Sequence, residues 1–439
     1  MRKNHLKIAL IGNDGRTSVI ERCLLESPRI TPPLLKFTRW KGDAARQEIL
    51  QEASDEKVDF VIVGPEEPLA DGIVDHFAEL GIPCVGPTKS LARLESSKAF
   101  TRELVAKHGI PGNPDHKVFE STAGIADYLA LLGEYVVKPD GLTGGKGVKL
   151  SGAHLSCIEE AISYCDELFK AGHSRVVIEE KLDGEEFSLQ SFCDGTHVVD
   201  MVLVQDHKRA GENDTGPNTG GMGSYSCADG SLPFLLPNHV KEASRINAAV
   251  AQALHKETGQ KYKGILYGGF MVGSKGIRLL EYNARFGDPE TMNVLSILEN
   301  DLVDVCEAII EGKLHQLPVQ FQKSATVCKY VVPQGYPDKP VKGARLDLTE
   351  MPKETANFRI YKAALEERDG ELVMTGSRAL ACIGIGETLA EAEALAERGA
   401  SSIKGPVFHR KDIGTSALIQ KRIDHMEKLA GHTRVGLVR

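Results

Sequence analysis

Tyr135-Val136-Val137-Lys138-Pro139-Asp140-Gly141-Leu142-Thr143-Gly144-Gly145-Lys146-Gly147-Val148-Lys149-Leu150 is the stretch on which the fold turns. An apolar strand runs into a glycine-rich loop and returns as a second strand. Glycines let a backbone approach a phosphate with its N–H groups turned inward, and Lys146 adds positive charge. A P-loop has Ser or Thr after its lysine and then a helix, whose N-terminus holds the phosphate. Here Gly147 follows Lys146, and a strand follows Gly147. The pattern predicts a hairpin flap that closes over a nucleotide, with a plain surface hairpin as the simpler alternative. Lys138 lies in the incoming strand. Pointing inward it needs an anionic partner such as a phosphate, because an unpaired buried charge is costly; on an edge strand it needs none.

On the N-terminal side, residues 7–12 and 58–65 are short apolar runs closing on glycine, and 81–87 is a third. Their alternation with amphipathic stretches predicts a doubly wound α/β unit with a parallel sheet. Ligands of such sheets gather at the carboxyl ends of the strands, where Gly12 and Gly64 lie. The breakers Ile110-Pro111-Gly112-Asn113-Pro114 end this unit. Strands, glycine turns and amphipathic helices follow. A strand at 326–330, the turn Gly335-Tyr336-Pro337 and a helix near 389–403 then mark a small α+β unit. The expected division is 1–115, 116–325 with a lid over about 118–190, and 326–439.

Three later segments carry chemistry. The strand at 176–180 runs into an acidic turn in which Leu182 could offer backbone groups to a base and Glu186 a carboxylate to a ribose, although acidic turns are commonly just solvated. Asp206-His207-Lys208-Arg209 and the run from Asp214 to Tyr225 are dense in charges, glycines and small hydroxyls. Such a loop cannot supply a core; it suits a small anionic ligand or solvent. His207 is a general base or, more simply, a hydrogen-bonded orienting residue. In Leu280-Glu281-Tyr282-Asn283-Ala284-Arg285-Phe286-Gly287-Asp288-Pro289-Glu290, strand periodicity puts Glu281, Asn283 and Arg285 on one face and Leu280 and Tyr282 on the other. Carboxylate and amide oxygens are hard ligands suited to Mg²⁺, and Arg285 beside them can clamp a phosphate or carboxylate. Glu-x-Asn alone also fits a solvated polar face; the Arg-Phe-Gly-Asp-Pro-Glu continuation favours a site.

Composition narrows the function class. With 53 basic and 61 acidic residues the net charge is −8, which argues against a nucleic-acid surface. Nine scattered cysteines with no Cys-x-x-Cys pair exclude a zinc ribbon and favour reduced thiols in a cytoplasmic protein. The apolar run 6–11 is too short for a signal peptide, and no later run approaches a membrane span.

At these residues the sequence resembles the ATP-grasp superfamily and, within it, the phosphoribosylamine–glycine ligase family. GPEEPLADGI (64–73), LESSKAF (94–100), VVKPDGLTGGKGV (136–148), IEEKLDGEEFS (178–188), DHKR (206–209), DTGPNTGGMGSYS (214–226), LEYNARFGDPE (280–290) and GYP (335–337) carry the resemblance in order along nearly the whole chain. It implies a pre-ATP-grasp N-terminal domain, an ATP-grasp core with a glycine-flap lid and a small C-terminal α+β domain. It implies that Lys98 and Lys138 touch ATP phosphates beneath the flap residues Gly144, Gly145, Lys146 and Gly147. Glu179, Glu180 and Leu182 would hold adenine, Glu186 the ribose, and Glu281 and Asn283 Mg²⁺ or Mn²⁺. Asp206, Lys208 and Arg285, with Asn218 and Thr219, would surround glycine and 5-phosphoribosylamine, and Gly15 and Arg16 would serve the ribose phosphate. The implied reaction joins those two substrates through glycyl phosphate in purine biosynthesis, in a cytoplasmic monomer or weak homodimer with no nucleic-acid or membrane partner.

The resemblance has two departures. Gly12-Asn13-Asp14-Gly15-Arg16-Thr17-Ser18 stands where the family has Gly-Gly-Arg-Glu-His, so Asp14 brings negative charge to a phosphate's place while Thr17 and Ser18 could donate at a helix N-terminus. Ile360-Tyr361-Lys362-Ala363-Ala364-Leu365 also departs, whereas Gly376-Ser377-Arg378 stays close. These departures leave one rival, a ligase for another carboxylate–amine pair; a nucleotide-binding regulator without catalysis is a second, against which the retained Glu281, Asn283, Arg285 and Lys138 argue.

Overall fold

The strands Leu35–Phe37, Ile8–Ile11, Phe60–Val63 and Cys84–Val85 lie side by side in that order, all parallel, in a computed structural model that describes residues 5–144 and 147–436. Gly145 and Lys146 of the flap therefore lie outside the described residues. Strict alternation sends Ile8, Leu10, Phe60 and Ile62 into one core and Ala9, Ile11, Val61 and Val63 into another, which is why these strands read as continuous apolar runs. Helices cover both faces, with Val19, Ile20 and Leu24 on one side and Ile49, Leu50 and Phe77 on the other.

The flap stretch is a hairpin. Tyr135–Pro139 and Lys149–Leu150 pair antiparallel, with Val136 opposite Leu150, at one edge of a sheet ordered His116–Phe119, Val176–Glu180, Tyr135–Pro139, Lys149–Leu150. Gly147 has φ +89°, and a Cβ there would stand 3.0 Å from Pro139 Cγ, so the close return of the chain requires glycine. Phe119, Tyr135, Val137, Leu168 and Ile178 give this unit its own small core.

Gly184–Asp194 and Lys263–Gly273 pair antiparallel along their length and are flanked by Val198–Asp200 and Gly276–Asn283. The helix Pro237–Thr258 packs across them through Asn247. Asn247 is fully buried; its amide donates to the Leu189 carbonyl (3.1 Å) and Ser191 Oγ (3.0 Å) and accepts from the Tyr282 hydroxyl (2.8 Å). One expectation needs correction here. Gly269 pairs with Glu281 and Phe270 with Leu279, so Leu280 is the extra residue of a β-bulge. The bulge breaks the alternation, and Leu280 and the buried Tyr282 both border the same cleft as Glu281.

The last sheet draws in the polar loop. Gln205–Asp206 and Gly223–Ser226 join Ala325–Pro333, Leu380–Gly386 and Phe358–Lys362 in one antiparallel array. The helix Leu389–Ser402 is fixed to it by Lys329, whose fully buried ammonium donates to Glu393, Glu397 and the Lys411 carbonyl, each at 2.7 Å. All the cysteines are free. Among the described residues no helix is long and apolar enough to cross a membrane.

Candidate active site

The lid sheet, the long central strands and the last sheet meet around one cleft of about 1140 Å³. At its lid end Glu179 is 3% exposed and lies between two cations. Arg102 Nε stands 2.6 Å from Glu179 Oε1 and Lys138 Nζ 2.6 Å from Oε2. Arg102 also donates to the carbonyls of Leu279 (2.9 Å) and Leu280 (2.7 Å), tying the lid to the central sheet. Burial pushes the Glu179 carboxyl upward, and Arg102 and Lys138 outweigh it and bring it down to about 2. Lys138 thus faces inward, and its partner within the chain is a carboxylate. Glu180 is also engaged, accepting from the Asp115 backbone N–H (3.1 Å) and from Lys275 (2.7 Å). Both glutamate side chains expected beside adenine are thus paired within the protein, and Glu179, Glu180 and Leu182 all line the cleft.

The flap's root is set by Asp140. It accepts from the Ala99 N–H (3.1 Å) and from Ser97 Oγ (3.1 Å) and pairs with Arg175 (2.8 Å), at the N-terminus of the helix Lys98–Lys107. Lys98 donates to the Gly141 carbonyl (2.8 Å), and burial lowers its pKa. Gly144 lines the cleft.

In the middle, Lys208 Nζ lies 3.0 Å from Glu186 and 3.9 Å from Glu281. Glu186 raises the lysine's pKa against burial. Glu281's depth in the cleft works to raise its own pKa, but Lys208, Lys138 and Lys98 hold it below the ordinary carboxylate value. Arg285 donates to Asn283 Oδ1 (3.2 Å) and pairs with Glu95 (2.8 Å) and Glu66 (3.1 Å). Burial pushes Glu95 up to about 7, against the pull of Arg285. For Glu66 burial pushes upward too, but Arg285 and Arg16 prevail and bring it down to about 2.

Arg16 reaches the cleft through the Phe286 carbonyl (3.0 Å). Asp14 does not confront a bound phosphate's position as an open charge: it caps the helix Gly15–Leu25, accepting from the Thr17 N–H (3.0 Å), Thr17 Oγ1 (2.6 Å) and Arg16 Nε (2.7 Å). Ser18 Oγ donates to the Lys362 carbonyl (2.5 Å), so the hydroxyls of Thr17 and Ser18, expected to meet a phosphate, are already engaged. Gly15 lies beneath Tyr330 and Met292, outside the cleft wall.

Asn218 and Thr219 line the cleft opposite the lid. Thr219 Oγ1 donates to the Lys208 carbonyl (2.9 Å) and accepts from the Gly221 N–H (3.0 Å). Gly221 has φ +111°, and a Cβ there would come within 2.7 Å of Asp206 Oδ1, so only glycine lets the loop cross this carboxylate. Burial and the nearby Glu290 push Asp206 well up, against Lys208 and Arg378. His207 is buried; its Nδ1 lies 3.2 Å from the Gly223 carbonyl, and burial with Arg410 and Arg422 lowers its pKa to about 3. A neutral ring in that position orients the loop.

The sequence reading passed over several of these groups. Glu66 and Glu95 lie inside stretches it quoted, yet the Arg285 they share lies about two hundred residues further along the chain. Arg378, named in the sequence only as part of a retained motif, donates to the Gly220 (2.5 Å) and Asp288 (2.9 Å) carbonyls from the last sheet's side. Lys421, Arg422 and His425 line the cleft from a C-terminal helix that carried no signal. Asp194, His197 and His315 form a separate group at the far end of Gly184–Asp194, where the Thr196, His197 and Leu314 N–H groups and the His197 ring occupy the carboxylate.

Comparison with known proteins bears directly on this arrangement. The family models of phosphoribosylglycinamide synthetase match the chain in order: the N domain over residues 6–95, the ATP-grasp (A) domain over 96–291 and the C domain over 326–416. The chain belongs to the phosphoribosylglycinamide synthetase family. A phosphoribosylamine–glycine ligase of Methanocella arvoryzae is 46% identical, over 97% of this chain and 100% of that one. A ligase of the same name from Pyrococcus furiosus is 43% identical, over 97% and 98%. Among solved structures, the phosphoribosylamine–glycine ligase of Thermotoga maritima superposes with a TM-score of 0.76 at 28% identity, covering 93% of this chain and all of that one. The biotin carboxylase domain of a Hydrogenobacter thermophilus 2-oxoglutarate carboxylase, at 14% identity and a TM-score of 0.71 over 97% and 94%, shares the fold.

In this synthetase-family chain the Glu179 triad yields a test. Glu179→Gln strands two cations and should cost about 3–5 kcal/mol at neutral pH. Because Glu179 sits near 2 when folded against an ordinary 4.5, its contribution is complete above 4.5 and disappears as pH falls toward 2. Urea unfolding should show wild type and variant converging between pH 7 and pH 3; a constant gap would mean that charge is not what the residue supplies.

Proposed function

We propose that this chain is the ATP-dependent ligase that joins glycine to 5-phosphoribosylamine, releasing glycinamide ribonucleotide, ADP and phosphate in purine biosynthesis. The observation that carries the reading is the meeting, in one cleft, of Lys98, Lys138, Lys208 and Arg285 with Glu281 and Asn283, between a glycine flap and a polar loop. Cations aimed at a triphosphate, beside a separate set of donors for a small carboxylate, are what phosphoryl transfer to glycine needs.

Lys98 and Lys138 neutralise the phosphates of ATP, whose adenine lies by Leu182 with its ribose on Glu186. The Glu281 carboxylate and Asn283 Oδ1, which also accepts from Arg285, are hard oxygen ligands in the cleft wall, a set that fits Mg²⁺ or Mn²⁺. When bound, such an ion supplies further neutralisation of the triphosphate charge. Lys208, kept cationic by Glu186, and Arg285 orient the glycine carboxylate with help from Asp206, Asn218 and Thr219. A glycine oxygen forms a bond to the γ-phosphorus, the bond to the bridging oxygen breaks, and ADP leaves. The amine of 5-phosphoribosylamine then attacks the acyl carbon of glycyl phosphate; phosphate leaves with the glycine oxygen, and the amine gives up a proton. Arg16, at the N-terminal wall, meets the ribose phosphate. Flap closure keeps water from the acyl phosphate. The reaction belongs in the cytoplasm, where reduced cysteines are at home.

Product formation with ATP, Mg²⁺, glycine and freshly generated phosphoribosylamine, each omitted in turn, tests the assignment. Glycinamide ribonucleotide should appear in step with ADP and only with all four present; ADP release with glycine but no amide would move the search to another amine. Glu281→Gln removes one electrostatic contact, about 3 kcal/mol, and should slow turnover roughly a hundredfold with the circular dichroism spectrum unchanged. Turnover near the wild-type rate would refute the metal assignment.

A further inference from the structure

The helix Ser416–Gly436 starts at the residue where the family's C-domain match stops. It is held by apolar contacts: Leu418 is buried, and Ile419, Ile423 and Met426 pack against the main core. That packing directs the polar residues between and just after them into the cleft, where Lys421, Arg422, Asp424, His425 and Lys428 form part of the wall.

Arg422 stands between two segments from opposite sides of the cleft. Its Nη2 lies 2.5 Å from Asp214 Oδ2 and its Nε 3.2 Å from Glu185 Oε2, and its side chain is 14% exposed. His425 grips the first segment alone: Nδ1 is 2.7 Å from Glu185 Oε1 and Nε2 3.3 Å from Asp183 Oδ1. Lys421 donates to the Asn213 carbonyl (3.4 Å) in the second segment, where Asp214 also pairs with Arg410 at 3.0 Å. Glu185 and Glu186 are consecutive strand residues and so point to opposite faces. Both border the cleft, and anchoring Glu185 to the helix fixes the backbone that aims Glu186 at Lys208. Anchoring Asp214 likewise fixes the start of the strand Thr215–Asn218, which leads into Thr219.

We infer that Arg422 is a positioning residue for both halves of the reaction: it sets the ribose-binding Glu186 against the glycine-binding loop, and the C-terminal helix closes that end of the active site. The inference rests on the placing of ribose at Glu186 and glycine at the 206–219 loop. It makes the tail beyond the family's C domain part of the substrate site.

Steady-state kinetics on the full chain distinguish this from a helix that only stabilises the fold. Arg422→Ala should raise KM for ATP and KM for glycine together, each about five- to tenfold, with kcat changed far less. Arg422→Lys keeps the charge and should restore part of both. His425→Ala touches only the 183–185 segment and should raise KM for ATP alone. Unchanged KM values in Arg422→Ala, or a fall in kcat alone, would overturn the inference whatever happens to the unfolding midpoint. Calorimetric titration with ADP separates this failure from failure of the underlying reading. If the wild type binds ADP and Glu186→Gln weakens it while Arg422→Ala does not, the helix has no positioning role. If Glu186→Gln leaves ADP affinity intact, the ribose is elsewhere and the inference falls with it.

Discussion

A single carboxylate, Glu179, held by Arg102 on one side and Lys138 on the other, fixes the geometry on which the rest of the cleft depends. Three units meet there. Glu179 belongs to the lid sheet, Arg102 to the helix below it, and Arg102 passes the connection to the central sheet through the Leu279 and Leu280 carbonyls. Without the carboxylate, two cations would face each other across a largely water-free gap, a costly arrangement at low dielectric. With it, Lys138 is aimed into the cleft at a fixed height, next to the strand that carries Glu281 and Asn283. The same logic recurs at Arg285, shared by Glu66 and Glu95, and at Lys208, shared by Glu186 and Glu281. The cleft keeps Lys138, Lys208 and Arg285 oriented by pairing each with a carboxylate and holds Lys98 on the Gly141 carbonyl, a preorganised arrangement that limits rearrangement on binding an anion.

Much of the frame was legible in the sequence because local pattern and global fold agree. Apolar runs closing on glycine gave the parallel sheet, and a strand followed by Gly147 instead of Ser or Thr gave the flap hairpin. What stayed hidden depended on partners far along the chain. The bulge at Leu280 arises from how Gly269 and Phe270 take up the pairing, which Leu280's own neighbours do not reveal. Asp14 looked like an electrostatic obstacle and is a helix cap, because Thr17 and Arg16 reach it before any ligand does. Alternation alone separates Glu179 from Glu180, but only the fold shows that one meets Arg102 and the other Lys275. The C-terminal helix was silent for the same reason: Glu185 and Asp214 lie about two hundred residues before Arg422 and His425.

These long-range pairings also explain why the N-terminal departure leaves the central cleft intact. Changing the first loop alters how Arg16 is held, yet Arg16 still shares Glu66 with Arg285 and still reaches the Phe286 carbonyl. The Arg16 side of the cleft can vary while the side with Lys138, Lys208 and Arg285 is held by its own ion pairs.

The central claim is that this cleft moves a phosphoryl group onto the glycine carboxylate before any amide forms. Glycine labelled with ¹⁸O in its carboxylate tests it directly. Mass spectrometry of the released phosphate after turnover should find one labelled oxygen per phosphate, and the amide should retain the other. Phosphate free of label, with both labelled oxygens left in glycine or lost to water, would contradict the account.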